Sequence, residues 1–348
     1  MIGKVLGTIF TCFTIVIAWG GIGENPASAD YSAEKEARNS LSAVSSATSR
    51  LMVHFIDVGQ GDAILIDYGS YEMLIDGGQG GDSAGYISPY VNGDLEVVVA
   101  THPHADHIGG LIDVLDTYVV DDIWLNGDNA TTQTYKNFTA KVTAEGAQVH
   151  QAQRGDQINL STLTFDVLHP VLPLGSDTNE NPIVLKLSFG QVDFLFTGDA
   201  GAGAETSLLS TGLIDDIEIL KVGHHGSKYS STSDFLTATQ PEIAVYSAGS
   251  NNTYGHPAPE TIARLHGIGA SIYGTDVYGT IIVTTDGTSY AVAGDASADS
   301  KIDVIDITMI ERIMAGLVLS TLGADANLDG TVNALDITKV ERFIARLH

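Results

Sequence analysis

The chain has 348 residues, enough for one large domain and a smaller companion, and its 44% hydrophobic content without a long biased tract is that of a globular protein. Its 43 acidic residues against 16 basic ones give a formal net charge of −27. That balance argues against a broad electrostatic grip on nucleic acid or an anionic membrane, but it leaves room for a small anionic substrate held at a bound metal.

At the N-terminus, Lys4 precedes the apolar run VLGTIFTCFTIVIAWG, and PASA then supplies small residues ending at Ala29. The pattern predicts an export signal over residues 1–29, cleaved after Ala29. The apolar run of 16 residues is shorter than the roughly 20 needed to span a bilayer. Cys12, the only cysteine, lies inside this segment, so the exported chain is expected to carry no disulfide and no thiol chemistry. Residues 30–50 are polar and rich in Ser and Ala, as in a tether.

From Leu51 the texture changes. LMVHFIDVG, DAILIDY, YEMLIDGG and LEVVVATH are β-rich runs, followed by LTFDVLHP, IVLKLSF, VDFLFTGD, IEILKVGHH, EIAVYSA and GTIIVTT. HIGGLIDVLDTY and YKNFTAKVTAEG are helical in pattern. Strands with helices interspersed predict an α/β domain over 51–293, its sheets covered by helices. Five of the strands end in a side chain able to bind metal: Asp76, His102, His169, Asp199 and His225. Strand ends are where a rigid scaffold presents residues to a site.

The stretch THPHADHIGG, residues 101–110, is the densest of these endings. His102 and His104 can reach one ion, and Asp106 and His107 at the following helix start can reach a second. An H-x-H-x-D-H spacing without cysteine suits two adjacent catalytic cations better than one closed structural zinc. Gly109 and Gly110 allow the backbone to approach closely. Zinc is the default for such N/O ligands, and the carboxylates suit manganese too.

This motif resembles the metallo-β-lactamase fold superfamily. FIDVGQGDAILI, MLIDGG, ATHPHADHIGGL, FLFTGDA, LKVGHHGS and YGHPAPETIARL follow the order seen in its ComEC-type competence-protein branch. The resemblance implies an αββα sandwich and a two-metal hydrolase. One metal would take His102, His104, His169 and a bridging Asp199. The other would take Asp106, His107, Asp199 and His225. It also implies that Asp106 orients the attacking water, that Asp76 orients the histidine loop by hydrogen bonding, and that His224 lines the pocket. His256, with Tyr254, Ser227 and Lys228, contacts the substrate or protonates the leaving group; for His256 the alternative is to shape a proline turn. For His169, a core role is the alternative. The ComEC-type domain is thought to degrade a DNA strand, which favours a phosphodiester. The channel's membrane segments are missing, so DNA import is not implied. The alternatives are a smaller phosphocholine or teichoic-type ester, lactonase or β-lactamase-like hydrolysis, and a non-catalytic binding module.

Residues 294–348 carry an internal repeat offset by 30 positions, pairing Asp306 with Asp336 and Glu311 with Glu341, which predicts a separate small α domain. The second copy places Asp325, Asn327, Asp329, Thr331 (through its carbonyl), Asn333 and Asp336 at the oxygen positions of a calcium loop, with Gly330 at the turn. The first places Asp295, Ser297, Asp299, Lys301 (carbonyl), Asp303 and Asp306 there, and is weaker because Ser300 replaces the turn glycine. Ile307, Ile310, Ile313 and Met314, then Ile337, Val340, Phe343 and Ile344, follow at helical spacing. The paired loop–helix repeats resemble a type I dockerin. The resemblance implies two Ca2+ ions and a cohesin partner on a scaffold or surface protein, contacted through Val304–Ile305 and Ala334–Leu335. With the export signal, it predicts a secreted enzyme held at a cohesin-bearing assembly.

Overall fold

The computed structural model describes residues 50–346. The expected export signal and nearly all of the expected tether lie outside the described residues.

Among the described residues fifteen strands are interspersed with helices: β1 (Leu51–Phe55), β2 (Ile64–Tyr68), β3 (Tyr71–Ile75), β4 (Leu95–Ala100), β5 (Val120–Leu125), β6 (Gln148–Gln151), β7 (Gln157–Leu160), β8 (Leu163–His169), β9 (Val184–Phe189), β10 (Val192–Phe196), β11 (Ile219–Lys221), β12 (Ile243–Tyr246), β13 (Ser271–Gly274), β14 (Ile281–Thr285) and β15 (Tyr290–Val292). They form an eight-stranded sheet in the order β15-β14-β1-β2-β3-β4-β5-β6 and a seven-stranded sheet in the order β13-β12-β11-β10-β9-β8-β7. The period-2 alternation of the strands divides their side chains between two cores. Val53, Ile66, Met73 and Val99 of the first sheet meet Phe165, Leu187, Phe194 and Val245 of the second. Leu65, Leu74 and Val98, on the opposite face of the first sheet, pack under helices α1 (Asp82–Ile87), α2 (Ala105–Ile108), α3 (Leu111–Thr117) and α4 (Gln133–Glu145). Leu195, Leu220 and Ala244 pack under α5 (Ala202–Leu209), α6 (Ser233–Thr239) and α7 (Pro259–Gly267). The expected αββα sandwich is therefore present.

A short helix α8 (Thr275–Tyr278) leads into β14, and the C-terminal repeats form α9 (Val304–Met314) and α10 (Ala334–Ile344). Asp303 and Asn333 cap these two helices through reciprocal capping boxes closed by Asp306 and Asp336. Ile310, Val340 and Phe343 are buried, Ile307, Ile313 and Ile337 pack half-buried beside them, and Met314 and Ile344 are exposed. Ile302, Ile310, Val340 and Phe343 belong to the same apolar cluster as Tyr273 and Val292.

Candidate metal centre

The site lies where strands of both sheets end. β3 stops at Ile75, and Asp76 follows with φ 58, a left-handed backbone that is uncommon for a residue other than glycine. This conformation turns its carboxylate inward. It accepts hydrogen bonds from the Thr101 N–H at 2.8 Å, the Thr101 hydroxyl at 2.6 Å and the His107 Nδ1 at 2.7 Å. The loop after β4 then delivers His102, and α2 delivers Asp106 and His107. Gly110 lets this loop close onto the Asp76 loop, since a Cβ there would sit 1.9 Å from the Gly77 carbonyl oxygen.

Asp199, after β10, is the hub. Its Oδ1 lies 3.2 Å from His107 Nε2 and 3.4 Å from His225 Nε2, while its Oδ2 lies 3.6 Å from His102 Nε2 and 3.7 Å from His224 Nε2. His225 Nε2 is also 3.3 Å from Asp106 Oδ2. His224 and His225 sit in a turn with φ 49 and 55. His225 is buried, with its Nδ1 on the Ser247 carbonyl oxygen at 3.0 Å, whereas the His224 side chain keeps 24% exposure. Ligand atoms converge in overlapping sets, including His102–His107–Asp199 and Asp106–His107–His225, each within 4.8 Å.

The donor chemistry fits divalent cations. The Nε2 atoms of His102, His107 and His225 and Oδ1 of Asp199 are buried and have no well-formed hydrogen bond, although the opposite nitrogen of each ring is anchored. Buried polar atoms are rarely left in this state unless something else satisfies them. Anchoring one ring nitrogen and leaving the other free is how histidines are set to bind metal.

Charge follows the same layout. Burial alone would lift Asp199 and Asp106, but the neighbouring imidazoles win and hold both carboxyls well below the usual range. Burial alone would lower His107 and His225; Asp199 and, respectively, Asp76 and Asp62 hold them well above the ordinary imidazole range. Burial keeps His102 and His104 low, and so neutral. A cation bound here competes with protons for the same imidazole nitrogens.

The remaining expected residues fall at varied distances from the hub. His104 packs against His102, ring centroids 4.5 Å apart, but its Nε2 meets the Thr178 hydroxyl at 2.9 Å, leaving Nδ1 free. His169, at the end of β8, holds its Nδ1 3.0 Å from the Pro182 carbonyl oxygen and belongs to none of the converging sets. His256 lies 5.6 Å from the His224 ring and 6.2 Å from that of His225; burial and then His225 hold it below the usual imidazole range. Tyr254 stacks on His256 and is 70% exposed. Ser227 is buried and accepts from the Tyr229 N–H, and the exposed Lys228 sets its ammonium 5.0 Å over the Tyr229 ring.

Two residues escaped the sequence reading. Asp62 is buried behind His225, its Oδ1 3.2 Å from His225 Nδ1 and its Oδ2 2.6 Å from the Lys221 ammonium. Lys221 is itself fully buried, so the two form an enclosed ion pair. Burial would raise Asp62, but Lys221 and then His225 bring it down to about 2. The available signal was a lysine at the end of the apolar run IEILK, where a charge needs a partner.

The calcium loops hold only oxygen donors. Asp295 and Asp325 each accept two loop N–H groups, Asp299 and Ser300 in the first, Asp329 and Gly330 in the second. Asp306 and Asp336 close the loops by accepting from Ser297 and Asn327. The Ser297 hydroxyl is buried without a partner, consistent with an oxygen set that a hard cation completes. Val304, Ile305 and Leu335 are 64%, 51% and 60% exposed, leaving both expected cohesin-facing pairs accessible.

Residues 56–250 match the family described as the metallo-beta-lactamase superfamily, and residues 293–345 match the dockerin type I domain. The chain is 28% identical over 253 residues to ComE operon protein 3 of Bacillus subtilis, covering 66% of this chain and 32% of that one. It is 30% identical over 230 residues to competence protein ComA of Neisseria gonorrhoeae, covering 65% and 31%. It thus spans about a third of the length of these relatives. A solved structure, the metallo-beta-lactamase fold protein YhfI from Bacillus subtilis, aligns at TM-score 0.47 and 12% identity over 68% of this chain and all of that one. Among the described residues no helix is long and apolar enough to cross a membrane.

Proposed function

Since the chain belongs to the metallo-beta-lactamase superfamily, in its ComEC-type branch, and ends in a dockerin type I domain, we propose that this hydrolase is a two-metal phosphodiesterase, exported and held through a cohesin. The observation that carries the reading is Asp199, a buried carboxylate whose two oxygens face different imidazoles. One set, His102, His104 and His169, would hold one cation. The other, Asp106, His107 and His225, would hold the second, with Asp199 shared. Two such ions, zinc or manganese, would supply an activated water and offset charge on a phosphoryl oxygen.

The chain's own residues position the rest. Asp106, half-buried at one edge of the cluster, orients the attacking water by accepting its hydrogen bond. Asp76 and Asp62 fix His107 and His225 from behind. His256 faces the same opening with a lowered imidazole pKa, so it contacts the substrate as a neutral group. His224, beside it, lines that opening.

The net charge of −27 favours a small phosphoester, such as a phosphocholine or teichoic-type ester, over a long nucleic acid, which needs a basic track. The test is metal-dependent cleavage of bis(p-nitrophenyl) phosphate by the wild type and Asp199→Ala with zinc, manganese or cobalt. The expected result is turnover that falls about 10³-fold or more in the variant, as loss of transition-state charge stabilisation demands. No turnover with any of the three metals would overturn the reading and leave lactone or β-lactam hydrolysis, or binding without catalysis. Single-stranded DNA against phosphocholine esters then separates the two substrate classes.

A further inference from the structure

The two calcium repeats are not equivalent in their surroundings. The Asp295 carboxylate in the first loop accepts, besides its two loop N–H groups, the hydroxyl of Tyr273 at 2.9 Å. Tyr273 lies in β13, an edge strand of the seven-stranded sheet, and is 1% exposed. The neighbouring β13 residue, Ser271, bonds through its hydroxyl to that of Ser300 at 2.6 Å. Ser300 is the residue that stands where a calcium loop wants glycine, and it holds φ 72, close to the φ 84 of its counterpart Gly330. Among the described residues Asp325 and Gly330 receive no such hydrogen bond from a strand.

The backbone is tied in through β15, where the Val292 carbonyl oxygen accepts the Asp295 N–H at 3.1 Å. Within the repeat module the Gly294 N–H donates to the Gly323 carbonyl oxygen at 2.9 Å, and the Thr321 hydroxyl donates to the Ala296 carbonyl oxygen at 2.8 Å. A Cβ at Gly323 would lie 2.1 Å from the Asp295 carbonyl oxygen.

We propose that the hydrolase domain completes the first calcium loop. Tyr273, by fixing Asp295, and Ser271, by fixing Ser300, are positioning residues for calcium there, and calcium in this loop stabilises the hydrolase sheet itself. The serine that weakens the loop as a sequence pattern is supported by a strand of the other domain. Whatever binds the native fold and not the unfolded chain raises its stability by mass action. A ligand in a loop that shares the β13 edge and the core around Tyr273 therefore acts on the whole unit.

The test uses the full chain in a Trp19→Phe background, which leaves Trp124 of β5 as the only tryptophan and a reporter of hydrolase unfolding. The catalytic cation is kept saturating while calcium is titrated. The expected result is a Trp124 melting temperature that rises with calcium, including in Asp325→Ala, which removes a ligand from the second loop. Tyr273→Phe and Ser271→Ala should each move the calcium midpoint about tenfold higher, the usual effect of losing a partner that orients a metal ligand. A Trp124 transition indifferent to calcium would overturn the proposal, as would an unchanged midpoint in both variants. Should Tyr273→Phe not fold, Ser271→Ala decides alone.

Discussion

The histidine cluster gathers its side chains from strand ends and turns scattered between Asp62 and His256, whereas each calcium loop takes its oxygens from one short stretch, Asp295–Asp306 or Asp325–Asp336. The first exists only once both sheets have formed. The second needs a loop and the first turn of a helix. The cluster is accordingly backed by a buried ion pair and a strained aspartate, while the loops are held mainly by their own backbone N–H groups. Damage to the scaffold should therefore reach the cluster over long distances and leave the second loop comparatively untouched.

The largest expected effect is from Lys221→Met. It removes the ammonium partner of the buried Asp62 carboxylate, and breaking a buried pair typically costs about 3–5 kcal/mol. Thermal unfolding should show a fall of many degrees together with weaker metal retention. A melting temperature within a degree of wild type would break the contrast, because the assembled site would then not depend on its enclosed pair. Next is Asp76→Ala, which frees His107 Nδ1 and should lower metal affinity about 10- to 100-fold. Competition with a chromophoric chelator measures it. An unaltered affinity would mean that the Thr101 and His107 bonds serve folding alone.

These two residues also mark how far the sequence could be read. The H-x-H-x-D-H run, Asp199 and the calcium oxygens are legible because their chemistry is concentrated locally or placed at strand ends. Asp76 was legible for the same reason, as the polar end of an apolar strand. Asp62 and Lys221 were not, since neither stands in a cluster and their pairing is created by the packing of the loop before β2 against the end of β11. His225 is buried and His224 partly exposed, and no pattern in the chain foretold that Thr178 would occupy His104 Nε2. Helical spacing set Ile310, Val340 and Phe343 on an apolar face, but it cannot tell which core they enter, and they entered that of the hydrolase.

A smaller effect separates burial with convergence from burial alone. Asp67 and Glu72 face each other across β2 and β3, and both are buried. Burial, followed by Glu96 and Asp67, pushes Glu72 up to about 8, and burial pushes Asp67 up to about 6. A carboxyl whose folded pKa is raised favours the fold while protonated, and that stability is lost as pH rises through the folded value. Glu72→Gln should therefore raise the melting temperature by a few degrees at pH 8.5 and hardly at pH 5. An equal gain at both values would show that charge at Glu72 is not what the fold resists.

The most direct measurement is the transition-metal content of the purified full chain after dialysis, compared with Asp199→Ala. The shared carboxylate predicts about two zinc or manganese ions per wild-type chain, with at least one lost from the variant. A wild-type chain that holds none, or a variant that holds as many as wild type, would contradict the account.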